Sequence, residues 1–150
     1  MKRQRKKYEK PRKPWDKERI TREREVLKTF GLRRKKEIRK VEAFLRKYRR
    51  IARELAAKKD KEKEKMIILK LASFGLLPEN ASLDGILSLT LENVLERRLQ
   101  TIVFKKGLAS TPKQSRQLIV HGKVLMNNRK NIYPSYLVKK EEEDKIQVVK

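Results

Sequence analysis

The chain has 150 residues, of which 43 are Lys or Arg and 19 are Asp or Glu, giving a formal net charge of +24, and it contains no cysteine. This length holds one modest domain, or a small domain with an extended arm, and excludes a large two-domain enzyme. The missing thiols exclude a disulfide framework, a thiolate nucleophile and a Cys-bearing zinc finger.

Self-repulsion at this charge opposes compaction unless a polyanion supplies counter-charge, so nucleic acid is the expected partner. A basic membrane-surface helix would set exposed Trp, Phe and Leu against its charged face. Here the only tryptophan, Trp15, lies instead in a proline-flanked segment. The N-terminal MKRQRKKYEKPRKPW lacks the apolar run of a signal peptide, and no window approaches the ~18 apolar residues of a membrane span. A soluble, intracellular protein with no membrane partner is expected. Residues 1–65 carry 29 basic and 11 acidic residues, a net of +18, against 14 and 8 in residues 66–150. The first part therefore depends more on its partner for stability, and the second is nearer an ordinary globular composition.

Residues 1–15 read as a basic extended arm, because Pro11 and Pro14 forbid a continuous helix and little apolar area holds the segment down. Lys6, Lys7 and Arg12 are candidate phosphate contacts. Tyr8 and Trp15 interleave the charges and can stack on bases or sugars.

Residues 16–90 read as a basic helical domain. Asp16 or Thr21 can cap a short helix that stops near Gly31. A longer helix is expected from about Lys35 to Ala57, with Val41, Phe44, Tyr48, Ile51 and Leu55 at spacings of 3, 4, 3 and 4 on one stripe. On the opposite face Arg39, Arg46, Arg50 and Arg53 fall at spacings of 7, 4 and 3. At ~100° per residue they share a sector of about 60°. Solvated faces normally alternate sign to gain i,i+4 pairs, and Arg grips phosphate bidentately, so this ridge is assigned to phosphate contact. KKDKEKEK, residues 58–65, reads either as a hinge or as a helix extension. Met66, Leu69 and Leu71 then open an apolar helix that ends near Gly75, and Ser82 opens a short helical turn through Ile86 and Leu87. The expected role of this piece is packing.

Residues 91–150 form the third piece. Thr90 can cap a helix from Leu91 to about Lys106, stopped by Gly107, with Leu91, Leu95, Leu99, Ile102 and Val103 buried. Arg98, Thr101 and Lys105 lie on another face. Thr111, Pro112 and Gln114 read as an N-cap, an N1 proline and a capping-box partner of a second helix reaching His121 and Gly122. Leu118 and Ile119 face inward, and Lys113, Arg116 and Gln117 face outward. Strands are then expected at KVLM, IYPSYLV and KIQVV, with Asn127 and Asn128 in a tight hairpin turn and the acids Glu141 to Asp144 in a solvated loop. The implied architecture is α+β: a helical region followed by two helices on a small antiparallel sheet.

The segment LERRLQTIVFKKGLASTPKQSRQLIVHGKVLMNNRKNIYPSYLVKKEEEDKI resembles the RNA-binding domain of the small-subunit ribosomal protein S-four family, most closely its archaeal form. KKYEKPRKPWDKERI, LRKYRRIARELA and LDGILSLTLENVLERRLQT resemble the same family in order and spacing, so the likeness covers most of the chain. ERRLQT and TPKQSRQLIVHG are its most specific portions. The resemblance implies a structural component of the small ribosomal subunit, a primary binder of the 5′ domain of its ribosomal RNA that nucleates assembly and supports decoding accuracy. By that likeness Arg97, Arg98, Thr101 and Lys105, with Lys113, Arg116, Gln117, His121 and Lys123, match the family's RNA-facing surface. Implied partners are small-subunit ribosomal RNA and neighbouring ribosomal proteins, on cytoplasmic ribosomes, with no small-molecule substrate. Three departures stand out. Asn128 occupies a turn position where many members have Gly, the chain lacks the longer tail of eukaryotic members, and it lacks the cysteines by which some bacterial members hold zinc. No metal or cofactor is therefore expected.

Three other readings compete. Similar RNA-binding modules occur fused to pseudouridine synthases, but those carry a separate catalytic domain, and nothing here forms an active-site pocket. A lone His121 near a helix end is read as a capping or phosphate-bonding group, not as a catalyst or metal ligand. A non-specific basic nucleic-acid binder, or a stand-alone RNA chaperone, would need the charge but not the capped helix pair and its spaced polar residues.

Overall fold

The computed structural model describes residues 7–149; Lys6, one of the expected phosphate contacts, lies outside them. The described residues form an α+β fold in which α1 (Lys17–Thr29), α2 (Lys35–Lys58), α3 (Lys61–Ser73) and α4 (Leu83–Ser88) precede α5 (Leu91–Glu96), α6 (Leu99–Lys105) and α7 (Pro112–Val120). The chain then turns to β1 (Val124–Met126), β2 (Arg129–Lys130), α8 (Lys140–Glu143) and β3 (Ile146–Val148), with an antiparallel sheet ordered β2-β1-β3.

Local chemistry sets most boundaries. Asp16 caps α1 by accepting from the Arg19 backbone N–H, and Gly31, at φ +59°, turns the chain after it. The buried stripe of α2 is Ile38, Val41, Leu45, Tyr48, Ala52 and Leu55, with Phe44 packed partly against it. The expected stripe was therefore centred slightly off, and Ile51 sits on its margin. Buried Glu23 ties the first two helices together through Arg19 at 3.2 Å and Lys35 at 3.0 Å. KKDKEKEK is both things the sequence allowed: Lys59 turns at φ 52°, Asp60 caps α3 through the Lys63 N–H, and the rest is helix. Met66 and Leu69 lie on the exposed side of α3, whose buried residues are Ile68, Leu71 and Ala72.

The single helix expected from Leu91 to Lys106 is two. Residues 134–138 run alongside residues 97–99 and engage the backbone on either side of Arg98: Val138 N–H donates to the Arg97 carbonyl at 3.0 Å, and Leu99 N–H donates to the Tyr136 carbonyl at 2.8 Å. The break separates two cores. Val94 and Leu95 of α5 pack with α1 to α4, whereas Leu99, Ile102 and Val103 of α6 pack with Ile119, Val124, Val138 and Ile146. Apolar spacing is unbroken across the joint, so periodicity alone cannot reveal it.

In the second core Thr111 caps α7 through the Gln114 N–H at 3.2 Å, and Gln114 reaches back to the Ser110 N–H at 2.8 Å, one residue before the position a capping box would use. Thr111→Ala should cost about 1 kcal/mol of stability by urea unfolding. An unchanged midpoint would mean that the Gln114 bond alone starts the helix. Asn127 and Asn128, at φ 51° and 60°, form the two-residue hairpin turn, so Met126 pairs directly with Arg129 and the second strand begins earlier than expected. IYPSYLV is not a strand. Pro134 lacks a ladder donor, a turn closes from the Tyr136 N–H to the Tyr133 carbonyl, and only Leu137 forms a bridge, to Arg98. Nor is the acidic run a loop. It forms α8, where Glu142 accepts from the Lys139 N–H and the Tyr136 hydroxyl, and Glu143 pairs with Arg97 at 2.8 Å.

Candidate nucleic-acid interface

The two cores meet on a polar seam. Glu37, in the first turn of α2, accepts from the backbone N–H groups of Arg33 and Arg34 through one oxygen, each at 3.3 Å. Its other oxygen accepts from Arg98 at 2.7 Å and Arg116 at 3.1 Å. Beside it Gln100, fully buried at the start of α6, donates to the carbonyls of Phe30, Gly31 and Pro112 at 3.2, 2.9 and 2.9 Å. The Ser115 hydroxyl closes the set by donating to the Gln100 carbonyl at 2.6 Å. Burial pushes the Glu37 carboxyl up, but hydrogen bonds from Arg116 and Arg98, and their charges, outweigh it and hold the group below its ordinary value. Burial lowers the pKa of Arg98 despite Glu37, yet a guanidinium stays charged throughout the working range.

Above this seam opens a cleft whose walls carry Lys7, Arg33, Arg34, Lys36, Lys40 and Arg116, with Val41, Phe44, Val94 and Leu137 among its apolar lining. Among the described residues Glu37 is the only carboxylate on that lining, and Arg98 and Arg116 already occupy it. Lys7, Arg33, Arg34, Lys36 and Lys40 are exposed, and none of them pairs with a carboxylate among the described residues. Uncompensated cations in a concave wall focus positive potential on whatever enters it.

The expected contact residues are distributed unevenly about this cleft. Lys7 lines it, and Tyr8 lies with Lys7 along the outer side of α2. Arg12 is exposed and Trp15 is 88% exposed. On the α2 ridge Arg39 is half-buried, Arg46 pairs with Glu9 at 3.0 Å and Arg50 with Glu54 at 3.4 Å, leaving Arg53 exposed. That ridge is thus less uniformly positive than its own helix sequence implies, because Glu9 arrives from the arm. Arg97 is turned to Glu143 and the Val138 carbonyl. Arg98 and Thr101, expected on an outer face, are buried, Arg98 on Glu37 and the Thr101 hydroxyl on the Leu95 carbonyl at 2.8 Å, because the helix break turns this face onto the first core. Lys105 is exposed but pairs with Glu96 at 3.2 Å. Lys113, Gln117, His121 and Lys123 are exposed on and after α7, and Arg116 is half-buried on the seam.

Sequence reasoning missed Arg33, Arg34, Lys36 and Lys40. The run LRRKKEIRK carried the signal, but it has no periodicity to set it apart from the basic ridge further along α2. Glu37 and Gln100 were also missed, since nothing local marks a residue whose partners are far away in the chain. Among the described residues no cluster of three or more His, Asp or Glu side chains could hold a metal, and no helix is long and apolar enough to cross a membrane.

Residues 97–144, which contain the whole second core apart from β3, match the family model of the S4 domain, so the fold and this site belong to a protein built on that module. The chain is 50% identical to the small ribosomal subunit protein uS4 of Nanoarchaeum equitans, over 99% of this chain and 86% of that one. It is 52% identical to the protein of the same name from Hyperthermus butylicus, over 95% and 83%, and 48% identical to that of Korarchaeum cryptofilum, over 98% and 90%. The chain belongs to the uS4 family of small ribosomal subunit proteins, a family of structural rather than catalytic proteins.

Proposed function

We propose that this chain binds small-subunit ribosomal RNA as a structural component of the small subunit, with the basic cleft between the two cores as its principal phosphate-binding surface. The observation that carries the reading is the set of cations at Arg33, Arg34, Lys36 and Lys40 on one wall, without carboxylate partners among the described residues and facing the S4 domain across the seam. Folded RNA offers phosphates, 2′-hydroxyls and unstacked bases, because the deep groove of an A-form helix excludes side chains. A concave cationic wall suits the phosphates of such a fold, and the exposed Lys113, Gln117, His121 and Lys123 extend the surface along α7. On this reading the protein joins the 5′ domain of the RNA early, nucleates assembly, supports decoding accuracy, and meets other ribosomal proteins on cytoplasmic ribosomes. The division into an arm of residues 1–15, a helical domain of residues 16–90 and an S4-type domain of residues 91–150 is part of this reading, and the change of core between Leu95 and Leu99 supports a boundary in that region.

The test is filter binding of the full chain to its own small-subunit ribosomal RNA 5′ domain, against transfer RNA and duplex DNA, over a salt series. The ribosomal fragment should keep an advantage of about a hundredfold as salt rises; parallel loss on all three polyanions would leave only a general basic binder. Arg33→Ala combined with Lys40→Ala should weaken binding to the ribosomal fragment and flatten its log–log salt dependence by about 1–2, at about 0.9 for each phosphate no longer neutralised. An unchanged slope would move the phosphate surface elsewhere.

A further inference from the structure

We infer that Tyr133 is a stacking platform for an unpaired nucleobase of the bound RNA, a contact that rests on the RNA-binding reading above and specifies it. The ring is 67% exposed. It stands on a loop with little freedom, since the Tyr133 N–H donates to Asn131 Oδ1 at 2.9 Å and the Tyr133 carbonyl accepts from the Tyr136 N–H at 3.1 Å. That loop is in turn pinned to the start of α6, where the Leu99 N–H donates to the Tyr136 carbonyl at 2.8 Å. Because the backbone under the ring is already held, binding over its face has only the side-chain torsions left to order.

Its position decides what it meets. On one side Pro134 and Ser135 form the rim of the basic cleft, facing the wall that carries Arg33 and Arg34. On the other side Ile132 lies against Gly122, whose chain neighbours His121 and Lys123 are both exposed. Tyr133 therefore lies between the rim of the basic cleft and the exposed Lys123 and His121, where a strand with phosphates on the cleft wall and on Lys123 would carry a base over the ring. Every base has a face that can stack on an aromatic ring, so the interaction needs an unpaired base and not a particular one. A protein partner on the same ring would leave the cations on both sides without counter-charge, which favours the nucleic acid.

The test is equilibrium binding of the full chain to the ribosomal RNA 5′ domain, with duplex DNA as the unselective control, for the wild type, Tyr133→Ala, Tyr133→Phe and Tyr133→Leu. Thermal unfolding checks each variant, and an exposed ring should leave the melting temperature unchanged. Tyr133→Ala should weaken RNA binding by about tenfold or more, with the salt slope unchanged, because every phosphate stays neutralised. Tyr133→Phe should stay within about twofold of wild type, and Tyr133→Leu should lie near Tyr133→Ala, since stacking requires the ring and not the hydroxyl or bulk alone. Wild-type affinity in Tyr133→Ala, with the RNA preference intact, would overturn the stacking role alone and leave the ring to a neighbouring protein or to solvent. Equal losses in Tyr133→Phe and Tyr133→Ala would assign the interaction to the hydroxyl and also overturn it. Loss of the wild-type preference for RNA over duplex DNA would bring down the binding reading and this inference together.

Discussion

Gly31→Ala should lower the melting temperature by on the order of 10 °C and weaken RNA binding with it. Gly31 sits at φ +59°, where an L side chain costs about 1–2 kcal/mol. A β-carbon there would also fall 2.7 Å from Pro112 Cβ, 3.0 Å from the Pro112 carbonyl carbon and 3.1 Å from Gln100 Nε2. Pro112 is the first residue of α7 and its ring is locked, so it cannot swing aside, and Gln100 Nε2 can move only by giving up its bonds to the Phe30, Gly31 and Pro112 carbonyls. Relief must come from moving the start of α7 away from the turn between α1 and α2, which stretches the Gln100 bonds and widens the cleft. Overpacking of this kind adds about 1–3 kcal/mol. Gly107 supplies the comparison, because its φ is +72° but nothing lies within 4 Å of a β-carbon there. Gly107→Ala should therefore show the backbone cost alone, about 1 kcal/mol, with RNA affinity retained. Equal losses in the two variants would mean that the approach to Pro112 is not what fixes the two cores.

Glu37→Gln should destabilise the protein by about 3 kcal/mol near neutral pH, the scale for removing one partner of a buried ion pair. Arg98 is 3% exposed and has no other carboxylate within ion-pair reach among the described residues, so its charge is left buried and unanswered. The glutamine keeps the shape but not the charge, and Arg116 loses its carboxylate at the same time. The same carboxylate predicts a pH dependence. Its folded-state pKa is depressed below the ordinary 4.5, so the stability it contributes is complete above that value and is lost as pH falls through the lower, folded one. Urea unfolding should therefore show a wide gap between wild type and Glu37→Gln at pH 7 that narrows below pH ~4.5, where the wild-type carboxyl takes up its proton. Equal stability at neutral pH would show that Arg98 finds its compensation elsewhere.

Much of the architecture could be read directly from the chain, and the reasons are local. Asp16, Asp60, Thr90 and Thr111 each accept a backbone N–H at a helix start, and Asn127 and Asn128 tolerate positive φ, so these boundaries rest on a few consecutive residues. The helical nature of residues 35–58, and the antiparallel sheet near the C-terminus, follow from apolar spacing and turn chemistry in the same way. The family likeness, too, was carried by local strings such as ERRLQT and TPKQSRQLIVHG. The errors came where a distant segment overrode a local preference. The break at Arg97 and Arg98 exists because residues 134–138 take the Arg97 carbonyl and the Leu99 N–H, and IYPSYLV fails as a strand because that same alignment uses it irregularly.

Composition, charge, helix periodicity and turn chemistry by themselves determined a basic α+β chain with a capped helix pair and pointed to a polyanionic partner, since each of those properties belongs to neighbouring residues. The tertiary structure alone decided which cations stay exposed without a carboxylate partner among the described residues. Arg98 lies 61 residues and Arg116 79 residues after Glu37, yet one carboxylate holds both, and a buried charge must be answered wherever in the chain its partner lies. That pairing removes Arg98 from the accessible surface and leaves Arg33, Arg34, Lys36 and Lys40 to form the wall of the cleft.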